Sequence, residues 1–134
     1  MSLQLEKILD FLKKFKVSAY NPETEEQLEE SIFTSLKEIL RSEKILIKAQ
    51  SKNQKMRTLI PDITIGLNQI LIEIKYLKGN LNDIYRLYYQ AVKYTKRAKD
   101  YLVFFIYDPG NLLSYEDKED LAQLNEKVKI IHKH

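Results

Sequence analysis

The chain has 134 residues, with 22 Lys plus Arg against 19 Asp plus Glu for a net charge of +3, and 44% hydrophobic residues. This is the composition of a single globular domain spanning residues 1–134, long enough to bury roughly two-thirds of its unfolded surface. The lack of Cys excludes a disulfide scaffold, a thiolate nucleophile and a Cys-ligated metal, and three Gly leave no Gly-rich phosphate cradle. The two histidines, His132 and His134, both stand at the C-terminal end, which argues against a His-based triad; chemistry has to come from carboxylates, Lys, Gln, Tyr and Ser/Thr.

Residues 3–16 predict a helix, with Leu5, Ile8, Leu9, Leu12 and Phe15 on one face. Val17–Tyr20 reads as a connection, after which Asn21 and Pro22 have the form of a cap and first turn for a second helix. Leu28, Ile32, Leu36, Ile39 and Leu40 give that helix its buried stripe, and it should end near Arg41. Three strand signals follow, over 44–50, 58–67 and 69–78, with Gly66-Leu67-Asn68 as a hairpin turn between the last two. The third run is apolar on both faces apart from Glu73 and Lys75, the pattern of a central strand covered on both sides. Asn80 or Asn82 can cap a helix over about 82–99, whose inner stripe is Ile84, Leu87, Tyr88, Ala91, Tyr94 and Ala98. Tyr101–Tyr107 is a buried strand stopped by Asp108-Pro109-Gly110. Ser114 and Asp117 resemble a capping box for a helix to about 126, and 127–132 is a last short strand. The order α-α-β-β-β-α-β-α-β predicts an α/β fold: a mixed sheet flanked by helices on both faces.

The N-terminus lacks the apolar run of a signal peptide, and the longest apolar stretch, Tyr101–Tyr107, is too short to cross a bilayer. A cytoplasmic protein without a membrane partner is expected. Basic residues concentrate in two stretches, Arg41, Lys44, Lys48, Lys52, Lys55 and Arg57 in the first and Lys93, Lys96, Arg97 and Lys99 in the second. These are either solvated faces or one patch suited to a phosphate backbone.

The residues that look costly lie in the strands. Glu73 and Lys75 are two apart, so they leave the third strand on the same face. Charges buried there need a partner, which is either a mutual ion pair near a strand end or a functional site. Pro61 is unusual inside a paired strand and suggests a bulge or break at Asp62. A hairpin turning at Leu67-Asn68 sets Asp62 opposite Glu73, with Cβ atoms about 5 Å apart. Two facing carboxylates repel. A divalent cation is the economical remedy, and hard oxygen ligands suit Mg²⁺ or Mn²⁺, with Lys75 placed to hold a water or a phosphate.

Pro61-Asp62, ten residues, then Glu73-Ile74-Lys75 resembles the P-D…(D/E)-x-K signature of the PD-(D/E)xK nuclease superfamily, which includes restriction endonucleases, Holliday-junction resolvases and RecB-type nucleases. Its restriction endonuclease-like αβββαβ core is similar in order and spacing to residues 22–107, about two-thirds of the chain; the first helix and the final helix–strand pair would be additions. A second E-x-K triplet, Glu116-Asp117-Lys118, falls in a predicted helix with no strand Asp before it and is set aside.

The resemblance implies a metal-dependent nuclease acting on nucleic acid, with DNA foremost, through a metal-activated water. It puts Asp62, Glu73 and the Ile74 carbonyl on Mg²⁺ or Mn²⁺ and Lys75 beside the nucleophile. Many members add a Glu from the helix before the meander; of Glu25, Glu26 and Glu29, the sequence favours Glu29, at the top of a buried face. Gln90 and Tyr94, four apart on one helix face, resemble the Q-x-x-x-Y element of RecB-like nucleases, although Tyr94 also suits ordinary core. Lys52, Lys55 and Arg57 before the Asp62 strand, and Arg86, Lys93 and Arg97 after the motif, are the candidate phosphate contacts. The alternative is a catalytically silent binding or assembly module on the same fold. A homodimer or a larger complex could supply specificity.

Overall fold

The computed structural model describes residues 3–43, 45–49 and 61–134. The apolar spacing at the N-terminus does form a helix, α1 (Leu3–Lys14), with Leu5, Ile8 and Leu12 buried and Leu9 at the margin of the core. Val17–Tyr20 is a further one-turn helix, α2, where the sequence suggests a plain connection. Its Tyr20 ring stacks on Phe15 at 5.0 Å, and Asn21 ends it in the left-handed region at φ 46°. That role takes Asn21 away from the next helix. Helix α3 (Glu25–Ile39) is capped by Thr24 instead, whose hydroxyl accepts the Gln27 N–H at 3.1 Å. A turn of 3₁₀ helix, Arg41–Glu43, follows.

Strands β1 (Ile47–Ala49), β2 (Ile63–Ile65) and β3 (Ile70–Tyr76) form the antiparallel meander. The described part of the second strand begins after Pro61 and Asp62 and ends at Ile65; residues 58–60 of the expected 58–67 lie outside the described residues. Its turn requires left-handed backbone at Gly66 (φ +67°) and Asn68 (φ +63°), the residue types that adopt it at least cost. The register pairs Ile63 with Ile72 and Ile65 with Ile70, so its extension sets Asp62 against Glu73, as the hairpin arithmetic predicts. Asn80 caps α4 (Leu81–Thr95), its side chain accepting the Asn82 N–H at 2.9 Å. Strand β4 (Tyr101–Tyr107) is followed by α5 (Tyr115–Gln123), capped by Ser114 and ending three residues before the expected 126, and by β5 (Val128–Lys133). Glu116, Asp117 and Lys118 lie in α5, away from any strand pair.

The five strands lie in sequence order, β1 to β3 antiparallel and β3 to β5 parallel. Alternation along β3 supplies two cores. Ile70, Ile72 and Ile74 pack with α1 and α3, and Leu71 packs with the Ile84, Leu87 and Ala91 face of α4 and with Leu121 of α5. Full burial of each such side chain contributes about 1.5–3 kcal/mol. No described helix is long and apolar enough to cross a membrane.

One polar group ties the far edge together. Asp108, fully buried at the end of β4, accepts the Leu112 and Leu113 N–H groups at 2.8 Å each and contacts His132 Nε2 at 2.8 Å. Burial alone would raise its pKa. The two backbone donors and the imidazole outweigh that and hold the carboxyl below its ordinary 3.8. The folded state therefore binds fewer protons here than the unfolded chain. The stabilisation is complete above 3.8 and is lost as pH falls through the lower folded value. Denaturant unfolding should show Asp108→Ala destabilised by about 3–5 kcal/mol near neutral pH, and the gap to wild type should narrow on acidification below the ordinary carboxylate range.

Candidate functional site

The break at Pro61 shapes the site. Proline has no N–H to donate, and the chain bends at Asp62 before entering β2. Asp62 and Glu73 then bond across the gap in both directions. The Asp62 N–H donates to Glu73 Oε1 at 3.1 Å, and the Ile74 N–H donates to Asp62 Oδ2 at 2.7 Å. The facing carboxylates are thus held by main-chain donors where the regular ladder stops. Both residues are 4% exposed, and so is Lys75. Such burial of charge costs several kcal/mol per ion unless it is compensated.

Helix α4 closes the site from the side of its buried face. Gln90, 2% exposed, donates from Nε2 to Glu73 Oε2 at 2.7 Å. Its other amide atom, Oε1, is buried with no hydrogen-bond partner among the described residues. A buried carbonyl oxygen beside a carboxylate is a site that a cation or a water can satisfy. One turn on, Tyr94 is 1% exposed, and its hydroxyl pKa is raised well above the usual value, first by burial and then by the charges of Glu73 and Asp62. Arg97 and Arg86 pull in the opposite direction, and the Arg97 guanidinium lies 5.9 Å from the centre of the Tyr94 ring. Tyr94 therefore stays protonated, a hydrogen-bond donor within the electrostatic reach of both carboxylates.

Helix α3 contributes from the other side. Glu25 Oε1 accepts the Tyr76 N–H at 2.9 Å and lies 3.8 Å from Lys75 Nζ. Sequence spacing favours Glu29 for this helix. The structure places Glu29 half-buried one turn further along the same face and brings Glu25, in the first turn, to the strand that carries Lys75. Apolar periodicity marks the deepest part of a face but not where the neighbouring strand ends, and Glu25 is found only once β3 is in place. Glu26, the third candidate, is exposed.

Asp62, Glu73, Lys75, Gln90 and Tyr94 thus converge, and Arg86 and Arg97 act on the same group. Lys93 is exposed on α4 with its ammonium 5.6 Å from the Tyr89 ring centre. Lys52, Lys55 and Arg57 lie outside the described residues. Among the described residues, no three His, Cys, Asp or Glu side chains form a metal cage on their own. The oxygen donors at hand are the Asp62 and Glu73 carboxylates, the Gln90 amide oxygen and the Ile74 carbonyl. Mg²⁺ commonly takes one or two carboxylates and keeps several waters, so this donor set fits a hard divalent cation.

No family model matches the chain, and no curated protein or solved structure matches it.

Glu73→Gln tests the repulsion directly. The amide keeps an acceptor for the Asp62 N–H, removes one negative charge, and offers the orphaned Gln90 oxygen a donor once that amide flips. Unfolding in EDTA should show the variant more stable than wild type by about 1 kcal/mol, whereas Glu73→Ala, which strands the Asp62 N–H, should lose about 2–4 kcal/mol.

Proposed function

We propose that this chain is a Mg²⁺- or Mn²⁺-dependent nuclease of the PD-(D/E)xK type that hydrolyses phosphodiester bonds of nucleic acid, with DNA as the first substrate to test. The observation that carries the reading is the buried Asp62–Glu73 pair on adjacent strands, with Lys75 two residues along and the orphaned Gln90 oxygen beside it. The run α3-β1-β2-β3-α4-β4 supports a restriction endonuclease-like αβββαβ core, with α1 and the α5–β5 pair as additions.

Asp62, Glu73 and the Gln90 oxygen, with the Ile74 carbonyl, would hold the cation. A divalent ion there supplies Lewis acidity, neutralising charge that builds on the phosphoryl oxygens and making water a competent nucleophile at neutral pH. Gln90 orients Glu73 through its 2.7 Å hydrogen bond. Lys75, with its ammonium kept near Glu25, positions the attacking water and stabilises developing negative charge. Tyr94 remains a proton donor for an oxygen brought into the site. Arg86 and Arg97 place the scissile strand by its phosphates.

A second reading has an observation of its own. Glu73 Oε1, Glu73 Oε2 and Asp62 Oδ2 already accept hydrogen bonds from the protein, an arrangement that a catalytically silent binding or assembly module would also keep. Purified protein incubated with supercoiled, single-stranded and four-way-junction DNA, in Mg²⁺, Mn²⁺ or EDTA, separates the two. The nuclease reading expects metal-dependent cleavage, reduced about 10²-fold or more in Lys75→Ala and abolished in Asp62→Asn while DNA binding persists. Absent cleavage, together with no Mn²⁺ binding by calorimetry, would leave the silent module.

A further inference from the structure

The outer face of α4 carries a feature that the chemistry above does not use. Tyr85 and Tyr89 are 67% and 56% exposed, although tyrosine commonly buries its ring. They lie four residues apart, so their side chains neighbour each other along the helix. Lys93 sits one turn beyond, its ammonium 5.6 Å from the Tyr89 ring.

Helical geometry orders these groups relative to the site. At about 100° per residue, Arg86 and Lys93 fall within about 60° of Gln90 on the side facing away from the core, and Arg97 follows just past the end of the helix. Tyr89 and Tyr85 come next around the same side. Moving outward from the buried carboxylates, the surface therefore presents first a band of cations and then a pair of exposed rings. Asp83, in the first turn, is the one acidic residue on this helix. The charge complements an anion that extends away from the site, and the rings offer π-faces beyond it.

We infer that this face binds single-stranded nucleic acid, with Arg86, Lys93 and Arg97 on the phosphates and unpaired bases stacked on Tyr85 and Tyr89. A duplex cannot use the rings, because its bases stack on one another at a rise of about 3.4 Å and their π-faces are covered. Exposed bases can, and stacking on aromatic side chains tolerates any sequence. The inference rests on the nucleic-acid reading of the site but not on catalysis. It narrows the substrate class to a strand, end or branch with unpaired bases next to the scissile phosphate.

Fluorescence anisotropy in EDTA tests it without any turnover. The probes are a short mixed-sequence DNA single strand carrying a terminal fluorophore and its fully paired duplex. Wild type should bind the single strand more tightly. Tyr85→Ala and Tyr89→Ala should each weaken single-strand binding about tenfold or more and leave duplex binding within twofold, while Tyr85→Phe and Tyr89→Phe, which keep the rings, should bind as wild type. Lys93→Ala should weaken both probes. Equal loss on both probes in the Ala variants, or no loss on either, overturns the stacking role while leaving a nuclease possible. Failure to bind either probe overturns the nucleic-acid reading itself. Sedimentation that shows a dimer dissolved by Tyr85→Ala with Tyr89→Ala would assign the face to a second copy of the chain and overturn the inference as well.

Discussion

Everything near the candidate site depends on one exchange, in which the Asp62 carboxylate takes the Ile74 N–H and the Glu73 carboxylate takes the Asp62 N–H. At that point the pairing of β2 with β3 has ended and the chain bends. A strand as apolar as β3 would otherwise leave an inner amide unsatisfied at its most buried stretch. Charged side chains thus do the work of main-chain acceptors, and the structural repair brings two acids together. Stability and acid–acid repulsion are coupled at the same four atoms, so no substitution there can be purely structural or purely electrostatic.

The surrounding elements spread that electrostatic load over three secondary structures. Gln90 from α4 caps one carboxylate, Lys75 remains on β3 and leans toward Glu25 on α3, and Tyr94 adds a proton that burial, and then the field of the two carboxylates, keeps in place. None of these contacts is local in sequence; Lys75 and Glu25 are fifty residues apart. Rigid packing of α3 and α4 on opposite faces of β3 is what gives them fixed distances.

Much of this is legible in the amino-acid sequence. The register of Asp62 against Glu73 follows from where Gly66 and Asn68 permit a turn, and a turn is among the most local signals a chain contains. The five strands and the helices with strong apolar stripes are read from periodicity alone. Three kinds of feature are not. Asn21 looks like a helix start but ends α2, since the same residue suits left-handed backbone and capping equally. Glu25, which the apolar spacing does not single out, meets the end of β3, because contact between elements depends on how far each extends, not on pattern. The Asp108–His132 contact joins residues 24 apart whose meeting depends on β5 lying parallel to β4.

Among the described residues the sheet has two outer strands, and each is built differently from its centre. One is β1, with Lys48 exposed; the other is β5, where Lys129, His132 and Lys133 interrupt the apolar positions. A strand from another molecule approaching either margin meets ammonium groups before it meets main-chain donors, and dehydrating those groups opposes docking. Sheets of this kind are prone to lateral growth into fibrils when a margin is long, flat and apolar. The lysines on these two strands are therefore guards against self-templated aggregation.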